Sequence, residues 1–298
     1  MNYQELGRSL LKISEIGFGC MSLGNDHAAN ARLLQQAVDA GINFFDTADL
    51  YQNGFNEETV GKALASNRDK VLIATKVGNR IRPDGIGWDW DPGKDYILRS
   101  VERSLVRLQT EYIDLYQLHG GTIDDPIEET IAAFEQLQKE GKIRYYGISS
   151  IRPNVIREYV TRSNIVSVMM QYSLLDRRPE ESCLSLLLEN KIGVLARGPV
   201  AKGLLVNKPA ESYLNYSPHQ VEQAASAINK ISGEHRSAAQ TAIQFVLKNP
   251  AITTAVVGIR TSQQLGEAIQ AVDTPGLTEK DLELLRSSVP VNFYEQHR

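Results

Sequence analysis

The stretch Gly41–Tyr51 reads G-I-N-F-F-D-T-A-D-L-Y and combines a short apolar run with polar side chains directly behind it. Ile42–Asp46 is predicted as a β-strand, because β-branched and aromatic residues favour that conformation. A helical pattern over Asn30–Ala40 precedes the strand, and a second over Glu57–Ser66 follows it. A strand flanked by helices indicates a parallel βα unit, with the polar end of the stretch at the carboxyl end of the strand.

The same alternation of strand and helix continues along most of the chain. Eight apolar runs are predicted as strands: Ile16–Cys20, Ile42–Asp46, Val71–Lys76, Ile113–Leu118, Tyr145–Ser149, Val166–Gln171, Gly193–Ala196 and Thr254–Val257. Helical patterns lie between them: Asn30–Ala40, Glu57–Ser66, Tyr96–Leu108, Pro126–Lys139, Pro153–Arg162, Pro179–Glu189 and Ala238–Lys248. Eight such units close into a (β/α)8 TIM barrel, whereas an open doubly wound sheet normally stops near roughly six strands. We therefore predict an α/β fold in which residues 1–298 form one barrel domain.

Two longer stretches interrupt the alternation, and both follow the carboxyl end of a predicted strand. Gly78–Asp95 contains both tryptophans of the chain, and Gly203–Ser237 contains a predicted helix at His219–Ile231. A further helix is predicted near the C-terminus, at Thr278–Ser288. Because insertions at this end of a barrel commonly form the walls of an active site, we expect both insertions and the C-terminal tail to shape a pocket.

Composition and charge exclude several classes of function. The chain has 298 residues with 32 basic and 36 acidic side chains, and no basic cluster marks a nucleic-acid surface. Its two cysteines, Cys20 and Cys183, lie far apart and indicate neither a zinc site nor a disulfide framework. No apolar run is long enough for a membrane span. These features predict a cytoplasmic monomer whose partners are small molecules, not nucleic acid or a membrane.

Four polar residues end or follow successive predicted strands. Asp46 ends the second strand and Tyr51 lies just beyond it, while Lys76 ends the third strand and His119 follows the fourth. The carboxyl ends of barrel strands meet at one rim, where barrel enzymes carry their active sites. A phenol beside an ammonium group is a useful proton donor, because the positive charge lowers the pKa of the phenol. We therefore predict a catalytic cluster in which the pKa of Tyr51 is lowered and the tyrosine exchanges a proton.

The sequence resembles the aldo-keto reductase family over essentially its whole length. G-I-N-F-F-D-T-A-D-L-Y resembles the family's second-strand signature, A-T-K-V its lysine strand and D-L-Y-Q-L-H its histidine strand. The opening Y-Q-E-L-G-R-S-L-L-K-I-S resembles its N-terminal β-hairpin. The resemblance implies NADPH-dependent reduction of aldehydes or ketones, with Tyr51 as general acid/base tuned by Lys76 and Asp46. It also implies that His119 orients the carbonyl and assists proton transfer.

The resemblance further implies cofactor contacts at the ends of several strands. The segment after the first strand would line the nicotinamide ribose, the fifth and sixth strand ends would bind the carboxamide, and the last two segments would bind phosphates and adenine. The implied residues are Gly19, Cys20, Met21, Ser149, Gln171, Arg197, Gly198, Pro199, Val200, Ala201, Gly203, Gly258, Arg260, Gln264 and Glu267. NADPH is expected over NADH, because a 2′-phosphate needs a cation and Arg260 can supply one.

Three positions depart from the family pattern. Arg197 stands where an aromatic ring commonly stacks on the nicotinamide, and Ser150 and Ala268 each stand where the family customarily has asparagine. A guanidinium can stack on a flat ring, but an oxidised, positively charged nicotinamide would repel it. Trp88 and Trp90 in the first insertion suggest aromatic or apolar carbonyl substrates.

Two alternative functions stay open at the level of sequence. A nicotinamide-binding redox sensor or regulatory subunit, like the potassium-channel β subunits related to this family, would bind cofactor and turn over slowly. A barrel that acts on phosphorylated sugars would form product without nicotinamide, although the four polar residues disfavour it.

Overall fold

The computed structural model describes every residue from Met1 to Arg298. Its twelve strands are, in chain order, β1 Tyr3–Glu5, β2 Lys12–Ser14, β3 Ile16–Gly19, β4 Phe44–Asp46, β5 Leu72–Val77, β6 Asn79–Ile81, β7 Trp88–Trp90, β8 Ile113–Leu118, β9 Ile143–Ser149, β10 Ser167–Gln171, β11 Gly193–Arg197 and β12 Ile252–Gly258. Eight of them form a closed barrel in the order β10-β11-β12-β3-β4-β5-β8-β9. All neighbouring strands of the barrel are parallel. The predicted (β/α)8 barrel is therefore confirmed.

Ten α-helices accompany the strands: α1 His27–Asp39, α2 Phe55–Leu64, α3 Lys94–Leu108, α4 Ile127–Lys139, α5 Pro153–Arg162, α6 Cys183–Glu189, α7 Pro218–Ile231, α8 Ala238–Leu247, α9 Ser262–Gln270 and α10 Glu279–Ser287. The predicted extra helices after the seventh barrel strand and near the C-terminus are confirmed as α7 and α10. Both begin with a capping box, formed by Ser217 with Gln220 and by Thr278 with Asp281. None of the ten helices is long and apolar enough to cross a membrane.

The N-terminal hairpin β1–β2, which the family resemblance implied, closes one end of the barrel. Leu6, Leu11 and Ile13 pack in one buried cluster with side chains that point into the barrel. Gly7 lies in the hairpin turn with φ of +56°, and a Cβ there would approach the Val166 carbonyl to 2.4 Å. Because this carbonyl lies just before β10, the hairpin covers the amino ends of the strands. The carboxyl ends are left for a functional site.

One segment forms an element that was not predicted, and another differs from the helix predicted for it. The Gly78–Asp95 insertion folds into the antiparallel hairpin β6–β7, which is held by charged pairs such as Arg82–Asp89 at 2.8 Å. The predicted helix Pro179–Glu189 is instead a short 3₁₀ turn followed by α6. Ser182 separates the two with a non-helical φ of −156°.

Candidate active site

Four polar side chains, called the polar cluster below, meet at the open end of the barrel. Asp46 is the last residue of β4, Lys76 lies near the end of β5, and His119 directly follows β8. Tyr51 lies in a short 3₁₀ segment that follows β4. Because β4, β5 and β8 are hydrogen-bonded neighbours, their register brings these side chains to one place.

Lys76 lies at the centre of the polar cluster. Its Nζ donates to Asp46 Oδ2 at 2.7 Å, to the Thr47 carbonyl at 2.7 Å and to the Tyr51 hydroxyl at 3.4 Å. An ammonium group has three donors, so all of them are used. The Tyr51 oxygen accepts in this arrangement, and the phenolic proton has no acceptor within the protein. That proton is therefore available to a molecule in front of the cluster.

The ion pair between Lys76 and Asp46 is buried, with side chains only 1% and 5% exposed. Burial lowers the pKa of Lys76, but the Asp46 carboxylate and Tyr51 outweigh this effect, so the pKa lies above its ordinary value. Burial raises the pKa of Asp46, although Lys76 opposes the shift. The close, hydrogen-bonded geometry favours the charged state of both partners, and Lys76 remains an ammonium group.

The pKa of Tyr51 is raised, which makes the prediction of a lowered value wrong. Burial is its largest influence and outweighs the positive charge of Lys76, while Asp46 acts in the same direction as burial. The sequence shows the neighbouring cation but not the loss of water around the phenol. Tyr51 is therefore protonated at neutral pH, which is the form of a proton donor.

His119 is a neutral imidazole at neutral pH. Burial, followed by the charges of Lys76 and Arg197, lowers its pKa to about 3. Its Nδ1 atom is buried without a hydrogen-bond partner. A proton on Nδ1 would therefore be unsatisfied, which favours the tautomer with the proton on Nε2. The ring stands edge-on to Tyr51, with centroids 6.0 Å apart.

A cavity of about 610 Å³ lies in front of the polar cluster. Tyr51, Lys76 and His119 form part of its wall, while Trp88 and Trp90 from β7 form another part. The Trp90 ring is held in place by a 2.9 Å hydrogen bond from Nε1 to Asp125. The cavity therefore joins a proton-donating group to an apolar aromatic wall.

Two segments expected to shape this cavity lie elsewhere. Neither Gly203–Ser237 nor the tail after α10 contributes a residue to its wall. Tyr213 of the insertion receives a 2.8 Å hydrogen bond from Gln171. In the tail, the Tyr294 ring packs against the Arg178 guanidinium at 4.9 Å. Residues of both segments instead line a neighbouring cavity, which shares Ile151 and Arg152 with the first one.

Arg152 is a cavity residue that the sequence analysis did not single out. It precedes Pro153. This proline predicted the start of a helix, but it gave no information about the function of the arginine. Its place in the loop after β9, three residues beyond the end of the strand, was the available signal, because the loops at strand ends supply other polar residues of the cavity.

A sequence model of the Aldo/keto reductase family matches residues 15–289. The chain belongs to the aldo/keto reductase family. It is 50% identical over 307 aligned residues to the uncharacterized oxidoreductase YqkF of Bacillus subtilis (strain 168), and the alignment covers 100% of both chains. This aldo/keto reductase is thus an oxidoreductase, as the resemblance implied.

Solved structures agree with this assignment. The holo form of aldo-keto reductase AKR11C1 from Bacillus halodurans matches with a TM-score of 0.94 and 50% identity, covering 100% of this chain and 99% of that one. The apo form of the same enzyme matches with a TM-score of 0.85 and 46% identity, and the match again covers 100% of this chain and 99% of that one. Enzymes of this family use nicotinamide cofactors.

The first group of predicted cofactor contacts in this aldo/keto reductase follows β3. Gly19 ends the strand, and Met21 is 69% exposed and lines the cavity. Cys20 is fully buried, and its carbonyl accepts from Asn56 Nδ2 at 2.9 Å. The Cys20 thiol is therefore out of reach of a molecule in the cavity.

The second group lies at the ends of β9, β10 and β11. Ser149 and Arg197 line the cavity. Gln171 stands beside Arg197 in the strand register, and Arg197 Nη1 donates to Gln171 Oε1 at 3.0 Å. Gln171 in turn donates to Tyr213 at 2.8 Å. One N–H and one lone pair of the Gln171 amide remain free, because an amide side chain offers two of each.

The segment after β11 turns sharply. It contains five predicted contacts: Gly198, Pro199, Val200, Ala201 and Gly203. Gly198 and Gly203 have φ of +73° and +94°, values that glycine adopts without strain. Pro199 and Ala201 are buried, and the backbone N–H groups of Ala201 and Gly203 donate to the carbonyls of Gly198 and Val200 within the turn.

The last group lies at and after the end of β12. Gly258 ends the strand, and the Arg260 side chain is exposed. The Arg260 backbone N–H donates to Gln264 Oε1 at 2.9 Å, while Thr261 caps the N-terminus of α9. Glu267 lies within α9 and is half-buried. An exposed cation thus stands before a helix N-terminus, which is a favourable combination for an anion.

Proposed function

We propose that this aldo/keto reductase uses NADPH to reduce aldehydes or ketones to alcohols. The observation that carries the proposal is the Tyr51 hydroxyl, whose oxygen accepts from Lys76 while its proton has no acceptor in the protein. When bound, the reduced nicotinamide supplies a hydride for the carbonyl carbon. The carbonyl oxygen then needs a proton, and Tyr51 is the protonated acid at the cavity wall that can donate it.

Lys76 stabilises the charge that Tyr51 acquires on losing its proton. Its ammonium group is already 3.4 Å from the phenolic oxygen, and their attraction grows as the tyrosinate forms. Burial raises the pKa of Tyr51, so the phenol still carries the proton that it donates to the carbonyl oxygen. Asp46 holds Lys76 in its charged form and fixes its direction.

His119 orients the carbonyl. Since its ring is neutral and carries the proton on Nε2, it can donate a hydrogen bond to the carbonyl oxygen beside Tyr51. A charged imidazolium would add positive charge next to Lys76 and Arg197, and these two charges lower the pKa of His119. The histidine thus acts as a hydrogen-bond donor, and Tyr51 acts as the acid.

The donor groups present suit a nicotinamide cofactor that has a 2′-phosphate. Arg260 offers an exposed guanidinium at the N-terminus of α9, where backbone N–H groups also favour an anion. The Ser149 hydroxyl and the free N–H and lone pair of Gln171 suit a carboxamide. These residues support NADPH over NADH, because NADH has no 2′-phosphate for Arg260 to bind.

Reduction of para-nitrobenzaldehyde with NADPH tests both the activity and the protonation state of Tyr51. We expect steady loss of the reduced-nicotinamide absorbance. We also expect kcat/KM not to fall between about pH 6 and pH 9, because the proton-donating form of Tyr51 persists below a pKa that lies above its ordinary value of about 10. The measurement is a pH series of kcat/KM, with NADH in place of NADPH as the comparison.

Three results would count against parts of this proposal. A decline of kcat/KM through the neutral range would contradict a raised pKa for Tyr51. A lower KM for NADH than for NADPH would contradict the role given to Arg260. Cofactor binding without turnover would favour a regulatory subunit.

A further inference from the structure

Positive charge is concentrated in the wall of the 610 Å³ cavity. No aspartate or glutamate lines this wall, whereas Lys76, Arg152 and Arg197 do. Asp46 compensates the charge of Lys76 through the 2.7 Å ion pair. Arg152 bonds to a backbone carbonyl and Arg197 to a glutamine, so neither pairs with a carboxylate. The cavity therefore favours a negatively charged molecule.

Arg152 is held so that one edge of its guanidinium stays free. It is the N-cap residue of α5 and directly follows the loop after β9. Its Nη1 donates to the Gly121 carbonyl, which belongs to the loop after β8. Nε and Nη2 have no acceptor within the protein, and their two N–H bonds point in parallel. This edge matches the two oxygens of a carboxylate.

The proposed cofactor does not need Arg152. The cation proposed for the 2′-phosphate is Arg260, which follows β12, and β12 lies three strands away from β9 in the barrel. Arg152 instead shares the cavity wall with the two tryptophans and with three members of the polar cluster, namely Tyr51, Lys76 and His119. A molecule whose carbonyl faces Tyr51 would thus have aromatic walls beside its body and a guanidinium as a further contact.

We propose that Arg152 binds a carboxylate of the substrate. The reductase then acts on aldehydes whose carbonyl is joined through an apolar or aromatic body to a carboxylate group. This inference rests on the proposed function, since it names the substrate class of the same site. It assigns Arg152 the role of a substrate-binding residue, while proton donation stays with Tyr51.

The test compares para-carboxybenzaldehyde with the methyl ester of the same aldehyde, which is similar in shape but has no charge. With NADPH as reductant, we expect the wild-type kcat/KM to be at least about tenfold higher for the carboxylate. Arg152→Met is expected to bring this ratio close to one, mainly by raising KM for the carboxylate, because the lost contact acts in binding. Arg152→Lys should give an intermediate ratio, since lysine keeps the charge but not the paired donors.

Arg157 provides a matched control, because it is an exposed arginine of α5 outside the cavity wall. Arg157→Met should retain the wild-type ratio. A wild-type ratio close to one, or equal losses for both substrates in Arg152→Met, would overturn the inference while turnover of the ester leaves the proposed function standing. If the enzyme turned over neither aldehyde, both the proposed function and the inference would be overturned.

Discussion

Replacement of Tyr51 by phenylalanine is expected to lower kcat for aldehyde reduction by at least about a hundredfold, since general acid catalysis commonly contributes 10²–10⁴-fold. The variant keeps the aromatic ring and loses only the hydroxyl that accepts from Lys76. We expect NADPH affinity to stay nearly unchanged, because the phenol is not among the proposed cofactor contacts. Steady-state kinetics and a fluorescence titration with NADPH measure the two quantities separately.

Tyr116 supplies the control for this experiment. It lies in β8, and its buried hydroxyl has no hydrogen-bond partner. Tyr116→Phe removes the same atom from the same residue type. Because Tyr116 does not line the cavity, we expect little change in kcat. If Tyr51→Phe also turned over at the wild-type rate, Tyr51 would not be the acid.

Lys76→Met is expected to lower the free energy of unfolding by about 3–5 kcal/mol, because removing one partner of a buried ion pair leaves the other charge buried and uncompensated. Asp46 would be that charge, since its side chain is only 5% exposed and otherwise receives just a long hydrogen bond from Gln117 at 3.4 Å. Reduction should also be strongly impaired, because the tyrosinate would lack its cation. Urea denaturation measures the change in stability.

A surface lysine tests whether burial of the ion pair causes the loss of stability. Lys142 pairs with Glu102 and Glu140 on the surface, and such pairs contribute about 0–1 kcal/mol. Lys142→Met should therefore be nearly neutral. The combination of Lys76→Met with Asp46→Asn should recover part of the lost stability, since no charge is then left buried. Equal effects of Lys76→Met and Lys142→Met would refute this account of the ion pair.

The barrel was predictable because its signal is local and repeated. Helical patterns separate the successive apolar runs, and the period of hydrophobic residues reports burial directly. The meeting of Asp46, Lys76 and His119 was predictable as well, because parallel strands place their carboxyl ends at one rim. The hairpin β6–β7 gave no such signal, since its strands are three residues long and carry charged side chains.

The electrostatics of the site could not be predicted from residue types alone. The pKa of Tyr51 depends on a balance between burial and the charge of Lys76, and the depth of burial is a property of the folded chain. The free edge of Arg152 depends on the Gly121 carbonyl, which lies on a different loop. Predicting either feature requires the distances between structural elements, which a single sequence does not contain.

The central claim is that a hydride passes from the cofactor to a carbonyl carbon in front of Tyr51. It is tested most directly with two samples of NADPH. Each carries deuterium in place of a different one of the two hydrogens on the hydride-donating carbon of the nicotinamide. Reduction of benzaldehyde with these two forms, followed by mass analysis of the benzyl alcohol, should show deuterium on the alcohol carbon for only one of them, because a fixed cofactor presents one face to the substrate. Alcohol without deuterium from both forms, or no alcohol, would contradict the account.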